Sequence, residues 1–341
     1  MSLLKRVLPL LSLTSALIMG SQAAQAATLT VNSTADTNDG VCNASNCTLR
    51  EAINQANSST GDVIEFDATA FAGTQTIYLS SSLPNITSTM TINGLPGGTP
   101  SSSRKSVVLN VFSWITILTV NSGAQLQMNG LTFQGGIVGF YNRGTTTVRY
   151  CTFSGNTNGM DNDGSTTTSD STFSGNNYGF KNWSGSADVY NCTFANNRYY
   201  GFQVDGGSPS LRNVTITGNG LGIYDLFEIP IVNSLVVGND YHTYSGSFYP
   251  GYYNLFTGTA SAAGLDPWGL QDNGGPTQTV ALTTNGTAVN GGNPSSTGVN
   301  DQRGPGFSRV KQGRIDIGAF ESDLGTPPAP APSAGSSSAS S

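Results

Sequence analysis

The strongest constraint on how this chain can fold is a repeat of about 20 residues. Six segments share one pattern: LTFQGG from Leu131, CTFSGN from Cys151, STFSGN from Ser171, CTFANN from Cys192, VTITGN from Val214 and SLVVGN from Ser234. Their starts lie 20, 20, 21, 22 and 20 residues apart. Each opens on an apolar or small residue, usually carries Thr second, and holds Phe, Ile or Val third. That alternation describes a short strand with one face inward. The Gly and Asn that close the segments tolerate left-handed backbone angles and mark a turn. A second strand recurs as GFYN from Gly139, GMDN from Gly159, GFKN from Gly179, GFQV from Gly201 and GIYD from Gly222. A third ends just before each segment, with Val148, Val189 and Leu211 in one column, and an Asn-rich corner (Tyr150, Asp170, Asn191, Asn213, Asn233) follows it.

Three strands and 20–22 residues per repeat predict an all-β fold, a right-handed parallel β-helix whose coils stack about 4.8 Å apart. Equivalent residues then lie over one another. Phe133, Phe153, Phe173, Phe194, Ile216 and Val236 form one interior column, and Phe140, Met160, Phe180, Phe202 and Ile223 a second. Asn156, Asn176, Asn197, Asn219 and Asn239 form a ladder at a turn. A propeller blade would need about 40 residues, and a leucine-rich repeat would need leucines that these segments lack. The stretches Ile77 to Leu79, Met90 to Ile92, Val107 to Val111 and Ile115 to Val120 supply earlier coils.

The two ends read differently. Lys5 and Arg6, the apolar run from Val7 to Met19, and Ala24-Gln25-Ala26 have the grammar of a secretory signal over residues 1–26. The run is shorter than the roughly 20 residues of a membrane-spanning helix. With Lys5 and Arg6 removed from 14 basic residues, 12 face 20 acidic ones, a mature net charge of about −8. A nucleic-acid partner, which needs a basic surface, is thereby disfavoured. Cys42 and Cys47, close together in an exported chain, are expected to form a disulfide. Cys151 and Cys192 share a column two coils apart, roughly 9–10 Å, too far for a bridge, and read as buried free thiols. With one histidine, His242, and no Cys-x-x-Cys pair, neither a metal nor a cofactor is indicated.

Both ends of a β-helix need capping to hide strand edges. Thr48-Leu49-Arg50-Glu51 is a capping box, and Leu49, Ala52, Ile53 and Ala56 lie on one face of the helix it starts. The surrounding stretch, with Cys47-Thr48-Leu49-Arg50-Glu51-Ala52, resembles the CSLREA motif domain of bacterial surface β-helix proteins. At the other end, LQDNGGPTQT from Leu270, Asp301-Gln302-Arg303-Gly304 and DIGAFE from Asp316 resemble the choice-of-anchor Q domain. The implied organisation is a signal (1–26), an N-terminal cap (27–60), the β-helix (61–263), a C-terminal module closing the other end (264–322) and a Pro/Ala/Ser spacer (323–341). The resemblance implies the cell surface; the signal grammar and a tail without a visible hydrophobic anchor lead to the expectation of a secreted, monomeric protein at most loosely held there.

For function, two classes compete. A non-enzymatic surface or adhesion protein would bind polysaccharide or another surface protein through exposed aromatics. The candidates are Tyr141, Trp183 and Tyr224 on outward columns and Tyr199 and Tyr200 in an adjacent loop, with Tyr241, Tyr244, Tyr249, Tyr252 and Tyr253 further on. The alternative, a polysaccharide lyase or glycoside hydrolase acting on an acidic polysaccharide, follows from a resemblance to pectin-lyase-type β-helices, whose lyases use clustered aspartates, calcium and a basic residue and whose hydrolases use several aspartates at one point of the groove. Here the best cluster is Asp161, Asp163 and Lys181, with Asp205 nearby. The simpler reading pairs Arg143 with Asp163 and Lys181 with Asp161 as ion pairs across neighbouring strands. The outward column Thr132, Thr152, Thr172, Thr193 and Thr215 is a flat face explained by β-propensity.

Overall fold

A residue type repeated once per coil lets parallel strands pair in register and set like on like. The computed structural model describes residues 26–95, 107–244, 253–283, 286–293, 295, 298–311 and 313–324. The expected signal segment (but for Ala26), nearly all of the spacer, Tyr249 and Tyr252 lie outside these residues. Three parallel sheets run along the molecule. The first has nine strands, from Thr28–Val31 to Ile231–Val232; the second has eight, from Gln75–Tyr78 to Leu235–Val236; the third has seven, from Thr116–Val120 to Tyr241–Tyr244. The chain visits the three sheets in turn, which makes a right-handed parallel β-helix. The four stretches expected to supply earlier coils coincide with strands of these sheets or run just past their ends.

The interior columns stack as the repeat requires. Phe133, Phe153, Phe173 and Phe194 pair in register, their rings 5.1, 4.7 and 4.7 Å apart and within 10° of parallel. Phe140, Met160, Phe180, Phe202 and Ile223 form the second column, and Val148, Thr168, Val189 and Leu211 a third. All are fully buried. Removing one ring leaves a void that rigid neighbours cannot fill, a cost of about 3–5 kcal/mol for Phe→Ala.

At the turn between the second and third sheets the asparagines form a continuous amide ladder. The backbone N and Nδ2 of Asn156 donate to Asn176 Oδ1 at 2.9 and 3.1 Å, and Nδ2 also reaches the Phe133 carbonyl at 3.0 Å. Asn176, Asn197 and Asn219 repeat the same bonds to the next coil. Each buried amide thus satisfies a turn that would otherwise strand its polar groups. Two further ladders were not foreseen. Asn142, Asn162 and Asn182 link at 2.8 and 2.7 Å. Asp170, Asn191, Asn213 and Asn233 link at the corner before the repeated segment, and all four, with Tyr150, have φ between 51° and 53°. Asn and Asp tolerate that left-handed backbone, which explains the composition of the corner.

The N-terminal cap forms as expected. Thr48 accepts from the Glu51 amide at 3.2 Å, and Glu51 Oε2 accepts from the Thr48 amide at 2.8 Å. The helix Leu49–Ala56 buries Leu49, Ala52, Ile53 and Ala56 in the main core. Arg50 forks onto Asp36 at 2.9 and 3.0 Å and reaches the carbonyls of Ser81 and Ser82. Cys42 and Cys47 are bridged; Cys151 and Cys192 are free and buried.

The C-terminal segment departs from expectation. It does not simply close the far end but lies along the outer face of the second sheet. Gln302 Nε2 donates to Thr172 Oγ1 at 2.9 Å, Thr193 Oγ1 donates to Gln302 Oε1 at 2.6 Å, and Thr215 Oγ1 accepts from the Ala319 amide at 2.9 Å. The threonine column is therefore not a bare sheet face: Thr172, Thr193 and Thr215 are buried under this segment, while Thr132 and Thr152 stay half-exposed. Arg309 is fully buried, donating to the Gly318 and Ala319 carbonyls and to Asn191 Oδ1 at 2.8, 3.1 and 3.0 Å. Glu321 Oε2 lies 3.9 Å from it and accepts from the Asp316 amide.

Two expectations follow. Thiol labelling should find no reactive cysteine in the native protein and two after unfolding, since burial pushes the Cys151 thiol up to about 12 and Cys192 well above its usual value. Burial, reinforced by the Asp316 charge, also pushes the Glu321 carboxyl up to about 8. A carboxyl raised on folding stabilises fully below its unfolded value and loses that contribution as pH rises through the folded one. Glu321 should therefore stabilise the fold more at about pH 5 than at about pH 8. Thermal melts of Glu321→Gln should show a shallower decline over that window, and an unchanged slope would contradict the assignment.

Candidate functional site

The outer face of the third sheet carries the candidate residues. In-register pairing sets Tyr141, Asp161, Lys181, Gln203 and Tyr224 in one outward column, and Asn158, Tyr178, Tyr200, Leu221 and Tyr241 in a second. Asp163 and Trp183 follow the strands Asn158–Asn162 and Tyr178–Asn182 at equivalent places. Tyr199 immediately precedes Tyr200–Val204.

Asp161, Asp163 and Lys181 are brought to one neighbourhood, but not as the expected ion-pair ladder. Asp163 Oδ2 accepts from the Tyr141 hydroxyl at 2.5 Å, and the Arg143 guanidinium lies over the Tyr141 ring, 5.1 Å from its centre. Lys181 Nζ sits 4.1 Å from the centre of the Trp183 ring and 4.7 Å from that of Tyr178. Neither Arg143 with Asp163 nor Lys181 with Asp161 comes within ion-pair distance, 4.0 Å, among the described residues. An exposed ion pair gains little in water, whereas a cation between two rings keeps its hydration on the open side and gains both quadrupoles. Asp161 is mostly buried and is held by Asn158 Nδ2, which donates to both oxygens at 3.0 Å. Burial raises its carboxyl pKa, against the opposing effects of the Asn158 amide, the Lys181 charge and Trp183. The Tyr141 hydroxyl is raised chiefly by its bond to Asp163.

Lys181 joins this cluster to an aromatic patch. Tyr200 and Tyr224 stack with centres 5.2 Å apart and planes 3° from parallel. Tyr178 packs against Tyr199 at 5.3 Å and Tyr200 at 5.4 Å, and Arg198 lies over Tyr199 at 5.3 Å. Beside them Leu221, Asp240, Tyr241 and Thr243 complete a mainly apolar depression of about 390 Å³. Trp183, Tyr199 and Tyr241 are 43%, 42% and 73% exposed. All five predicted binding aromatics thus lie on this face; Trp183, Tyr199, Tyr200 and Tyr224 form one run with Tyr178, while Tyr141 stands at its edge beside Asp163.

Tyr178 was not singled out from the sequence. It directly precedes the Gly of GFKN, as Tyr200 precedes that of GFQV, so aligning the repeats one residue earlier would have revealed it. Phe112 and Trp114, 87% and 83% exposed, were also missed; they lie in the irregular early coils, where no column points to them. The single histidine, His242, is on the strand Tyr241–Tyr244, and its Nδ1 is buried without a hydrogen-bond partner among the described residues. Among the described residues, no three His, Cys, Asp or Glu side chains are grouped as metal ligands.

The fold is that of a pectate-lyase-like parallel β-helix. The crystal structure of pectate lyase Pel9A superposes with a TM-score of 0.52 at 15% sequence identity, covering 88% of this chain and 97% of that one. At that identity the likeness concerns the fold alone. No protein-family profile and no curated protein matches the sequence, so the resemblance of the two end segments rests on their motif residues.

The short Tyr141–Asp163 bond gives a direct test. Asp163→Asn should bring the Tyr141 ionisation down toward that of an ordinary tyrosine, seen as a one-tyrosine difference between variant and wild type in ultraviolet titration. Superimposable titrations would refute the bond.

Proposed function

We propose that this protein is an exported, non-enzymatic binding protein that holds polysaccharide on the outer face of the third sheet. The observation that carries this reading is the run Trp183, Tyr178, Tyr199, Tyr200 and Tyr224, interleaved with Lys181 and Arg198. Flat rings stack on the apolar faces of sugars, and fixed cations beside them suit hydroxyl or carboxylate groups. Strands held in register give the face its regular spacing, as an extended repeating ligand requires. The Cys42–Cys47 bridge and the signal grammar of residues 1–26 support a location outside the cytoplasm. On this reading the CSLREA-like segment caps the β-helix, and the choice-of-anchor Q-like segment is a structural module that clamps its side.

The second reading, a polysaccharide lyase or glycoside hydrolase, draws on the Pel9A likeness and on Asp161, whose raised carboxyl lies near Lys181. A buried acid beside a base is a recognised catalytic arrangement. Against it, Asp161 is held by Asn158 and Lys181 is engaged with two rings.

Isothermal calorimetry against acidic and neutral polysaccharides should detect binding that Trp183→Ala or Tyr200→Ala weakens about tenfold, in keeping with the loss of one stacking aromatic. The same polysaccharides should yield no new unsaturated or reducing ends. Turnover abolished by Asp161→Asn would replace the first reading with the second.

A further inference from the structure

We propose a second carbohydrate site, for a neutral sugar chain, on the outer face of the first sheet where the C-terminal segment overhangs it. It shares no residue with the strip on the third sheet and does not depend on that reading. Arg149, Ser169, Tyr190 and Arg212 occupy one outward column on four successive coils. Three steps of about 4.8 Å make the column roughly 14 Å long, enough for two to three sugar units. Facing it, Gly298, Val299 and Asn300 form the other wall of a groove of about 390 Å³. That volume lies in the range of small-ligand sites. The Asn191 amide donates to the Asn300 carbonyl at 3.3 Å and ties this wall to the β-helix.

The charges in the groove are balanced. Arg149 Nε donates to Asp170 Oδ2 at 2.8 Å, and Arg212 Nη2 donates to both oxygens of Asp188 at 3.1 and 2.8 Å. A polyanion would therefore find no net positive field. The pairing instead fixes each guanidinium in place with donors to spare. Nε and Nη1 of Arg212 and the Tyr190 hydroxyl make no hydrogen bond to the other described residues, while the Arg149 guanidinium lies over the Tyr150 ring at 4.7 Å and that of Arg212 over the Tyr190 ring at 4.9 Å. Asp188 retains acceptor capacity beside them, and both arginine side chains are 48% exposed. Donors and acceptors set side by side in rigid planes match the hydroxyls of a neutral sugar, which both give and accept hydrogen bonds. Because the partners are already ordered, little conformational entropy is lost on binding.

The test uses the mature chain, with cello-, xylo-, manno- and galacto-hexaose as neutral probes and hexagalacturonate as the acidic one. At least one neutral hexasaccharide should bind more tightly than hexagalacturonate by calorimetry. Arg212→Lys, which keeps the charge but loses the planar fork, should weaken that binding at least about tenfold. Val299→Trp, which fills the groove from the exposed wall, should do the same without touching the arginines. Both variants should keep the wild-type melting temperature, and Trp183→Ala should leave this binding unchanged. The proposal is overturned if no neutral probe binds, if hexagalacturonate is preferred, or if Trp183→Ala abolishes the binding while Val299→Trp does not. The Trp183→Ala arm separates the two sites, so failure of one leaves the other standing.

Discussion

Everything in this molecule depends on parallel strands that pair in register from coil to coil. Register of that kind forces each side chain to meet its own counterpart about 4.8 Å away. Only residues that tolerate self-stacking can occupy the interior and the turns. Phenylalanine does so by offset stacking, as from Phe133 to Phe194. Asparagine does so because its amide carries both donors and an acceptor, so each Asn can give to the next and receive from the last. The cost of a buried polar turn is thereby offset by a chain of bonds, each in a water-free setting where an unpaired amide would be expensive.

The same constraint shapes the outer faces. A column that repeats a small hydroxyl residue becomes a flat strip of polar handles, and on the second sheet the C-terminal segment uses that strip. Gln302 reads Thr172 and Thr193, and the Ala319 amide reads Thr215. Behind them Arg303 pairs with Asp301 at 2.6 Å. The wholly buried Arg309 donates from its two terminal nitrogens to two carbonyls and an amide oxygen, which offsets part of the cost of burying its charge, while its Nε has no partner among the described residues. Thr277, Gln302 and Arg309 thus hold the C-terminal segment to the β-helix.

On the third sheet the outcome was set by local competition. Lys181 had a carboxylate on the neighbouring strand and aromatic rings on either side; it took the rings. Asp161, left without an ion pair, is held by an amide and partly desolvated, which raises its pKa. The face is therefore aromatic with cations interleaved, where strand pairing alone would have made it an ion-pair lattice.

The sequence by itself determined the coil. A 20–22-residue period, three strand positions and columns of Phe and Asn are properties of spacing, and spacing survives translation into structure because in-register stacking leaves no freedom to slide. It also determined the capping box at Thr48 and Glu51 and the Cys42–Cys47 bridge, since both join residues a few positions apart. What only the tertiary structure decided are contacts between residues far apart in sequence and choices among partners of similar strength. Gln302 meets Thr172 across 130 positions. The rings around Lys181 come from its own strand and the turn after it, yet nothing in the spacing ranked them above Asp161. The groove between Arg212 and Val299 exists only because the C-terminal segment lies along the side of the β-helix, and no local pattern encodes where a segment so distant in the chain will dock.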